Sequence, residues 1–257
     1  MTAVVTALAA SSGRGVAGSV LVAFTVLSGH LSVGWCNDRA DMERDIATGR
    51  TDKPLVAGAV SGRVVAIAAG CALAACVPLS LANGLLAGIA HLIGVAAAWW
   101  YNLGLKRTWF SPLPYMVGFG LLPAFITLAL PGHPWPPVWA VAAGALLGLG
   151  AHATNVLPDI EGDLDTGISG LPQRLGQRKA RVLAALSLLG ASVLLVLGPA
   201  GRISIVGWAS LVVTSVLALV VALPLRSDPR SRLPFLATLG LALLAVSLLL
   251  LRGGKLT

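Results

Sequence analysis

Long apolar runs, one after another with only short polar breaks between them, constrain this chain more than any other feature. Eight stretches are almost free of charge, at roughly residues 15–36, 61–81, 84–101, 112–130, 136–157, 180–199, 202–223 and 232–251. A helix rises about 1.5 Å per residue, so about 20 residues cross a hydrocarbon layer about 30 Å thick. Of the 257 residues 56% are hydrophobic and 11% charged, against about 25% charged in an ordinary soluble domain. A soluble helical core cannot hide this many runs of that length. The chain is therefore predicted to be all-α, a polytopic membrane bundle. No linker or low-complexity segment divides it, so residues 1–257 are taken as one domain. A ninth run, about residues 2–12, is too short to cross the layer. Either the first helix is partial or the true start lies upstream of Met1.

The loops fall alternately on two sides. Counting the short run as the first, the loops after the second, fourth, sixth and eighth runs hold 14 of the 18 Lys and Arg. That bias assigns this side to the cytoplasm of a cell membrane, with the N-terminus inside and the C-terminus outside. It also accounts for the net charge of +8 without a nucleic-acid partner. The Ala- and Gly-rich, Arg-over-Lys composition points to a bacterial source. All ten acids lie on the same side. Nine sit in two loops: Asp38, Asp41, Glu43, Asp45 and Asp52 in one, and Asp159, Glu161, Asp163 and Asp165 in the other. Orientation rules say little about acids, so this concentration has another cause.

The two acidic loops are related. At an offset of 118 positions Asn37 matches Asn155, Asp41 matches Asp159, Glu43 matches Glu161, and Asp45 matches Asp163; Gly49 matches Gly167 and Pro54 matches Pro172. Each block directly follows an apolar run, so the chain reads as two pseudo-repeated halves that deliver carboxylates to one face. Positions i, i+4 and i+8 share a helix face, which sets Asn37, Asp41 and Asp45 in one stripe and Asn155, Asp159 and Asp163 in another. Like charges so spaced repel, and hard divalent cations prefer carboxylate oxygens. The pattern reads as a Mg²⁺–diphosphate site; the plainer alternative is a pair of solvated acidic loops.

The tract Asn37-Asp38-Arg39-Ala40-Asp41-Met42-Glu43-Arg44-Asp45 resembles the NDxxDxxxD signature of the UbiA prenyltransferases. Asn155–Asp163 is similar to that family's second signature, DxxxD with a preceding polar residue, and Gly170–Gly176 to its usual continuation. Tyr101–Arg107 resembles the YxxxK element, with an interval one residue longer. The likeness covers nearly the whole chain. It implies about nine helices around a central cavity, an apolar tunnel for a prenyl tail, and transfer of the prenyl group from a Mg²⁺-bound prenyl diphosphate to a lipid-soluble acceptor, often aromatic. On that resemblance Asp38, Asp41, Asp45, Asp159 and Asp163 would hold Mg²⁺. Asn37, Asn155, Lys53, Lys106, Arg107 and Tyr101 would line the diphosphate site. Removing Asp41 or Asp159 should abolish turnover without disturbing core packing.

Other signals are weaker. Pro158 removes a backbone donor within the second motif and should break the helix there. Trp99 and Trp100 suit either a developing carbocation or an interfacial aromatic belt. His30 and His152 suit either the acceptor or an interhelical hydrogen bond. Pairs such as Gly84/Gly88 and Gly144/Gly148 suit close helix packing. Cys36, Cys71 and Cys76 lack metal spacing. Gly13–Gly18 fits GxGxxG but lacks the strand-turn-helix setting of a dinucleotide site. Two other functions compete: a terpene cyclase on the same scaffold, which needs no acceptor, and a transporter, which should carry polar residues near the membrane midplane. The residues do not name the acceptor, the prenyl length or the oligomeric state.

Overall fold

The computed structural model describes residues 1–47, 49, 53–222 and 240. The run at 232–251 lies outside these, except for Gly240. Among the described residues the regular structure is entirely helical. Six of the described helices are long and apolar enough to cross a membrane, and the chain is a multi-pass membrane protein.

A short helix α1 (Thr2–Ser11) turns through Gly13 and Gly15, both at positive φ, into α2 (Gly15–Ala40). The short α3 (Met42–Ala47) follows directly. Then α4 (Gly62–Leu81) and α5 (Leu85–Leu103) form a hairpin whose turn needs Gly84, at φ +114°. The small residue Gly88 lets α5 cross the end of α4: a Cβ there would lie 2.7 Å from the Ser80 carbonyl oxygen. So Gly84 and Gly88 do different jobs, one conformational and one steric.

The run at 112–130 is not one span but two short helices, α6 (Leu113–Gly120) and α7 (Leu122–Thr127). Pro123 explains the break: it lacks an N–H, and its ring clashes with the carbonyl four residues earlier. Next comes α8 (Val138–Val156), which packs backbone to backbone on α6. A Cβ on Gly144 would meet the Phe119 oxygen at 2.4 Å, and one on Gly148 the Tyr115 oxygen at 2.3 Å. A 3-10 turn at Leu157–Asp159 leads into the short α9 (Ile160–Asp165). α10 (Leu171–Leu197) starts well before the apolar run at 180–199 and bends at Gly176, where φ is 75°. α11 (Ile205–Ala222) completes the described bundle.

At one end of the bundle, polar side chains tie the turns together. Arg14 donates to Asn83 Oδ1 at 3.1 Å and to the Ala129 carbonyl, and Asn83 donates to Thr25 Oγ1 at 2.9 Å. Apolar side chains such as Ile67, Leu85, Trp208 and Val212 point outward, as lipid-facing surfaces do. The opposite end, where α2, α5 and α8 finish, carries both acidic motifs.

Candidate functional site

The internal repeat is a repeat of shape. In the first motif α2 stops at Ala40, and Asp41 sits at φ −95°, ψ 1° before α3 begins. In the second, the helix tightens at Pro158, and Asp159 sits at φ −106°, ψ 1° before α9 begins. Gly49 and Gly167, equivalent in the repeat, have φ of 68° and 77°. Only glycine adopts that conformation without strain. The i, i+4 register survives the first break: Asp41 N–H donates to the Asn37 carbonyl at 2.9 Å and Asp45 N–H to the Asp41 carbonyl at 2.8 Å. Asn37, Asp41, Asp45, Asn155, Asp159 and Asp163 all line one cavity.

Basic side chains stand between the carboxylates. Arg44 Nη2 donates to Asp41 Oδ2 at 3.1 Å, and its Nη1 donates to Asp163 Oδ1 at 3.0 Å, joining the two motifs. Lys53 lies 3.0 Å from Asp38 and 2.7 Å from Asp45. Lys106, buried on a 3-10 turn at Leu105–Arg107, pairs with Asp41. Gln173 Nε2 donates to Asp163 Oδ2 at 2.8 Å. Burial alone would lower the pKa of Lys53, but hydrogen bonds to Asp45 and Asp38 outweigh it and raise that pKa. Among the described residues no three acids, histidines or cysteines converge in a geometry that could hold a metal as the side chains stand. The donor chemistry nonetheless fits Mg²⁺. All ligands on offer are hard oxygens, and five aspartates against three cations leave an excess of two negative charges.

The position of α10 depends on Gly170. A Cβ there would lie 2.6 Å from Ser111 Oγ and 2.7 Å from the Lys106 carbonyl oxygen. Leu171 N–H donates to Ser111 Oγ at 3.0 Å, and that hydroxyl lies 3.1 Å from His152 Nε2. Below the motifs, Tyr101 meets the rings of Tyr115 and His152 edge-on, with centroids 5.4 and 5.6 Å apart. Tyr101 and Tyr115 both line the cavity, which continues past Gly94 and Val95 to Val26, Leu122 and Phe125. Its volume is about 1630 Å³.

The model of the UbiA prenyltransferase family matches residues 1–244. The chain belongs to the UbiA prenyltransferase family. It is 31% identical over 190 residues to the bacteriochlorophyll synthase 33 kDa chain of Cereibacter sphaeroides, covering 66% of this chain and 60% of that protein. The equivalent protein of Rhodobacter capsulatus is 31% identical over 195 residues, covering 64% of this chain and 58% of that protein. The chain thus spans about three fifths of the length of these curated relatives. A solved structure titled as digeranylgeranylglyceryl phosphate synthase in membranes shares the fold, with TM-score 0.64 and 20% identity. That match covers 98% of this chain and 90% of the other.

Within the UbiA frame, the sequence-derived site residues separate into three groups. Asn37, Asp41, Asp45, Lys53, Tyr101, Lys106, Asn155, Asp159 and Asp163 come together around the cavity. Asp38 is set back from it and joins through Lys53. Arg107 is exposed at the bundle surface, away from the cavity lining, although the backbone of its turn carries Lys106. Trp100 is 65% exposed, and Trp99 Nε1 donates to Ser32 Oγ at 3.2 Å. Neither tryptophan lines the cavity, which favours the interfacial belt. His152 bonds to Ser111 in the turn before α6, and His30 lines the cavity with its Nδ1 3.3 Å from Thr2 Oγ1. Arg44, Gln173 and Tyr115 were not singled out by their motifs. Arg44 had a signal in its place three residues after Asp41; the partner across the bundle had none.

Proposed function

We propose that this UbiA-family protein is an intramembrane prenyltransferase, taking a prenyl diphosphate as donor and a lipid-soluble acceptor, with Mg²⁺ as cofactor. One observation carries the reading. The aspartate motifs of the two halves meet at the mouth of a single long cavity, joined through Arg44. Asp41, Asp45, Asp159 and Asp163, supported by Asp38 through Lys53, are the proposed metal ligands, and Asn37 and Asn155 the neutral oxygen donors beside them. When bound, Mg²⁺ would offset the negative charge that builds on the departing diphosphate. Lys53 and Lys106 would donate to diphosphate oxygens from the two sides of the first motif. The allylic C–O bond breaks with its electron pair going to the diphosphate. The acceptor then supplies the electron pair of the new bond and gives up a proton. Tyr101 and Tyr115 line the cavity here, and their ring faces would stabilise the positive charge that develops on the prenyl group.

The apolar walls from Gly94 to Phe125 would take the prenyl tail. A volume of about 1630 Å³, against roughly 300–1,000 Å³ for a single-ligand pocket, leaves room for an acceptor beside the donor. The curated relatives are named as bacteriochlorophyll synthase chains, which supports a biosynthetic enzyme. The motif end carries most of the basic loop residues, so we assign it to the cytoplasmic side of the cell membrane.

The test is incubation of purified protein with radiolabelled farnesyl and geranylgeranyl diphosphates, with and without Mg²⁺, plus a membrane-lipid extract. Mg²⁺-dependent movement of label into an extract component is expected. A labelled cyclic hydrocarbon formed without extract would replace transfer by cyclisation. No diphosphate release from either donor would count against the proposed chemistry.

A further inference from the structure

Arg44 lies in the first motif yet reaches the second. Its guanidinium is 3.0 Å from Asp163 Oδ1, 3.1 Å from Asp41 Oδ2 and 4.0 Å from Asp45 Oδ1, with its side chain only 26% exposed. The other oxygens of the two bridged carboxylates are also engaged, Asp41 Oδ1 by Lys106 and Asp163 Oδ2 by Gln173. The 118-residue offset places Gly162 opposite Arg44, so the bridge is built from one side and has no pseudo-symmetric counterpart. A planar fork of donors fits a carboxylate and a diphosphate equally well. Arg44 also lines the cavity at the point where a diphosphate would enter.

We infer that Arg44 is a positioning residue that competes with the divalent cation for Asp41 and Asp163 and passes to the diphosphate when the donor is loaded. This rests on the metal–diphosphate reading of the site. Before loading, Arg44 holds the two motifs at a fixed separation and limits their repulsion. In loading it releases Asp163 and Asp41 and turns its fork to the diphosphate oxygens, so the carboxylates become metal ligands only as the anion arrives. The site would then favour metal and diphosphate together over metal alone.

The test measures binding without turnover. Mn²⁺ affinity is read by electron paramagnetic resonance for the wild type, Arg44→Gln and Arg44→Lys in detergent. Affinity for inorganic diphosphate is then read at saturating Mn²⁺ by calorimetry. Removing a unit charge a few ångströms from the ligands should tighten Mn²⁺ binding by Arg44→Gln about tenfold, while diphosphate binding weakens about tenfold. Arg44→Lys keeps the charge and loses the fork, so Mn²⁺ affinity should stay near wild type and diphosphate affinity should fall. A bridge with only a structural role would weaken both ligands together, and that result overturns the inference, as does unchanged Mn²⁺ binding by Arg44→Gln. If Arg44→Gln does not fold, Arg44→Lys decides: wild-type diphosphate affinity in it overturns the inference. A wild type that binds no Mn²⁺ overturns the metal site itself, a different outcome from a wild type that binds Mn²⁺ and is indifferent to Arg44.

Discussion

The two aspartate motifs share a backbone path but not an electrostatic setting. In the first, Asp38, Asp41 and Asp45 are each paired with a cation from the same half of the chain. In the second, Asp163 is held by Arg44 and Gln173, while Asp159 is exposed and makes no ion pair among the described residues. The offset explains the difference: Arg44 and Lys53 fall on Gly162 and Leu171, and Asp38 on Val156. One half therefore contributes a compensated, partly buried cluster, and the other one carboxylate held from across the bundle and one, Asp159, open to solvent. A duplicated scaffold has kept the turn geometry that aims the ligands while dividing the charges unequally.

The largest effects should fall on turnover, where the two motifs behave alike. Asp41→Ala and Asp159→Ala should each lower turnover by at least about 10²–10³-fold, the scale for losing one electrostatic stabiliser of a transition state. Stability should then separate them. Asp41 is buried against Lys106 and Arg44, so its loss leaves buried charge uncompensated at a cost of about 3–5 kcal/mol. The exposed Asp159 should cost within about 0.5 kcal/mol. Thermal unfolding in detergent reads both, and equal stability losses would break the comparison. Because Asp41 is buried, the expectation that its removal leaves the packing undisturbed is corrected; for the exposed Asp159 the same unfolding measurement decides it.

A smaller effect is expected at Gly148, where α8 packs on the backbone of α6. Gly148→Ala puts a methyl group against the Tyr115 backbone and should destabilise by about 1–3 kcal/mol, whereas Gly162→Ala, with open space around it, should be close to neutral apart from its chain-entropy effect. The smallest effect is expected at Arg107, which is exposed and outside the cavity. Arg107→Ala should change turnover less than Lys106→Met, although the two residues are adjacent in sequence. Parallel turnover assays check this, and an equal loss would bring Arg107 into the site.

Much of this was legible in the sequence because length and charge are local properties. Apolar runs about as long as a bilayer is thick give helices, and the 118-residue offset pairs Asp41 with Asp159 before any coordinates exist. The turn at Pro158 was readable for the same reason: a missing N–H acts within one helical turn. The break at Pro123 obeys that rule too, but the apolar run masks it. Long-range partners were not legible. Nothing local indicates that Arg44 would reach across to Asp163, that Gln173 would hold the same carboxylate, or that the Lys106 side chain would turn inward while Arg107 turns out.

The central claim is that motifs from the two halves make one site. It is tested most directly by the turnover of Asp45→Asn, Asp159→Asn and the double variant, measured as Mg²⁺-dependent diphosphate release from labelled geranylgeranyl diphosphate. Residues that act as a unit are not additive. The account predicts that the double variant loses little more than the worse single variant. Losses that multiply would contradict it, because they would mean that the two motifs work independently.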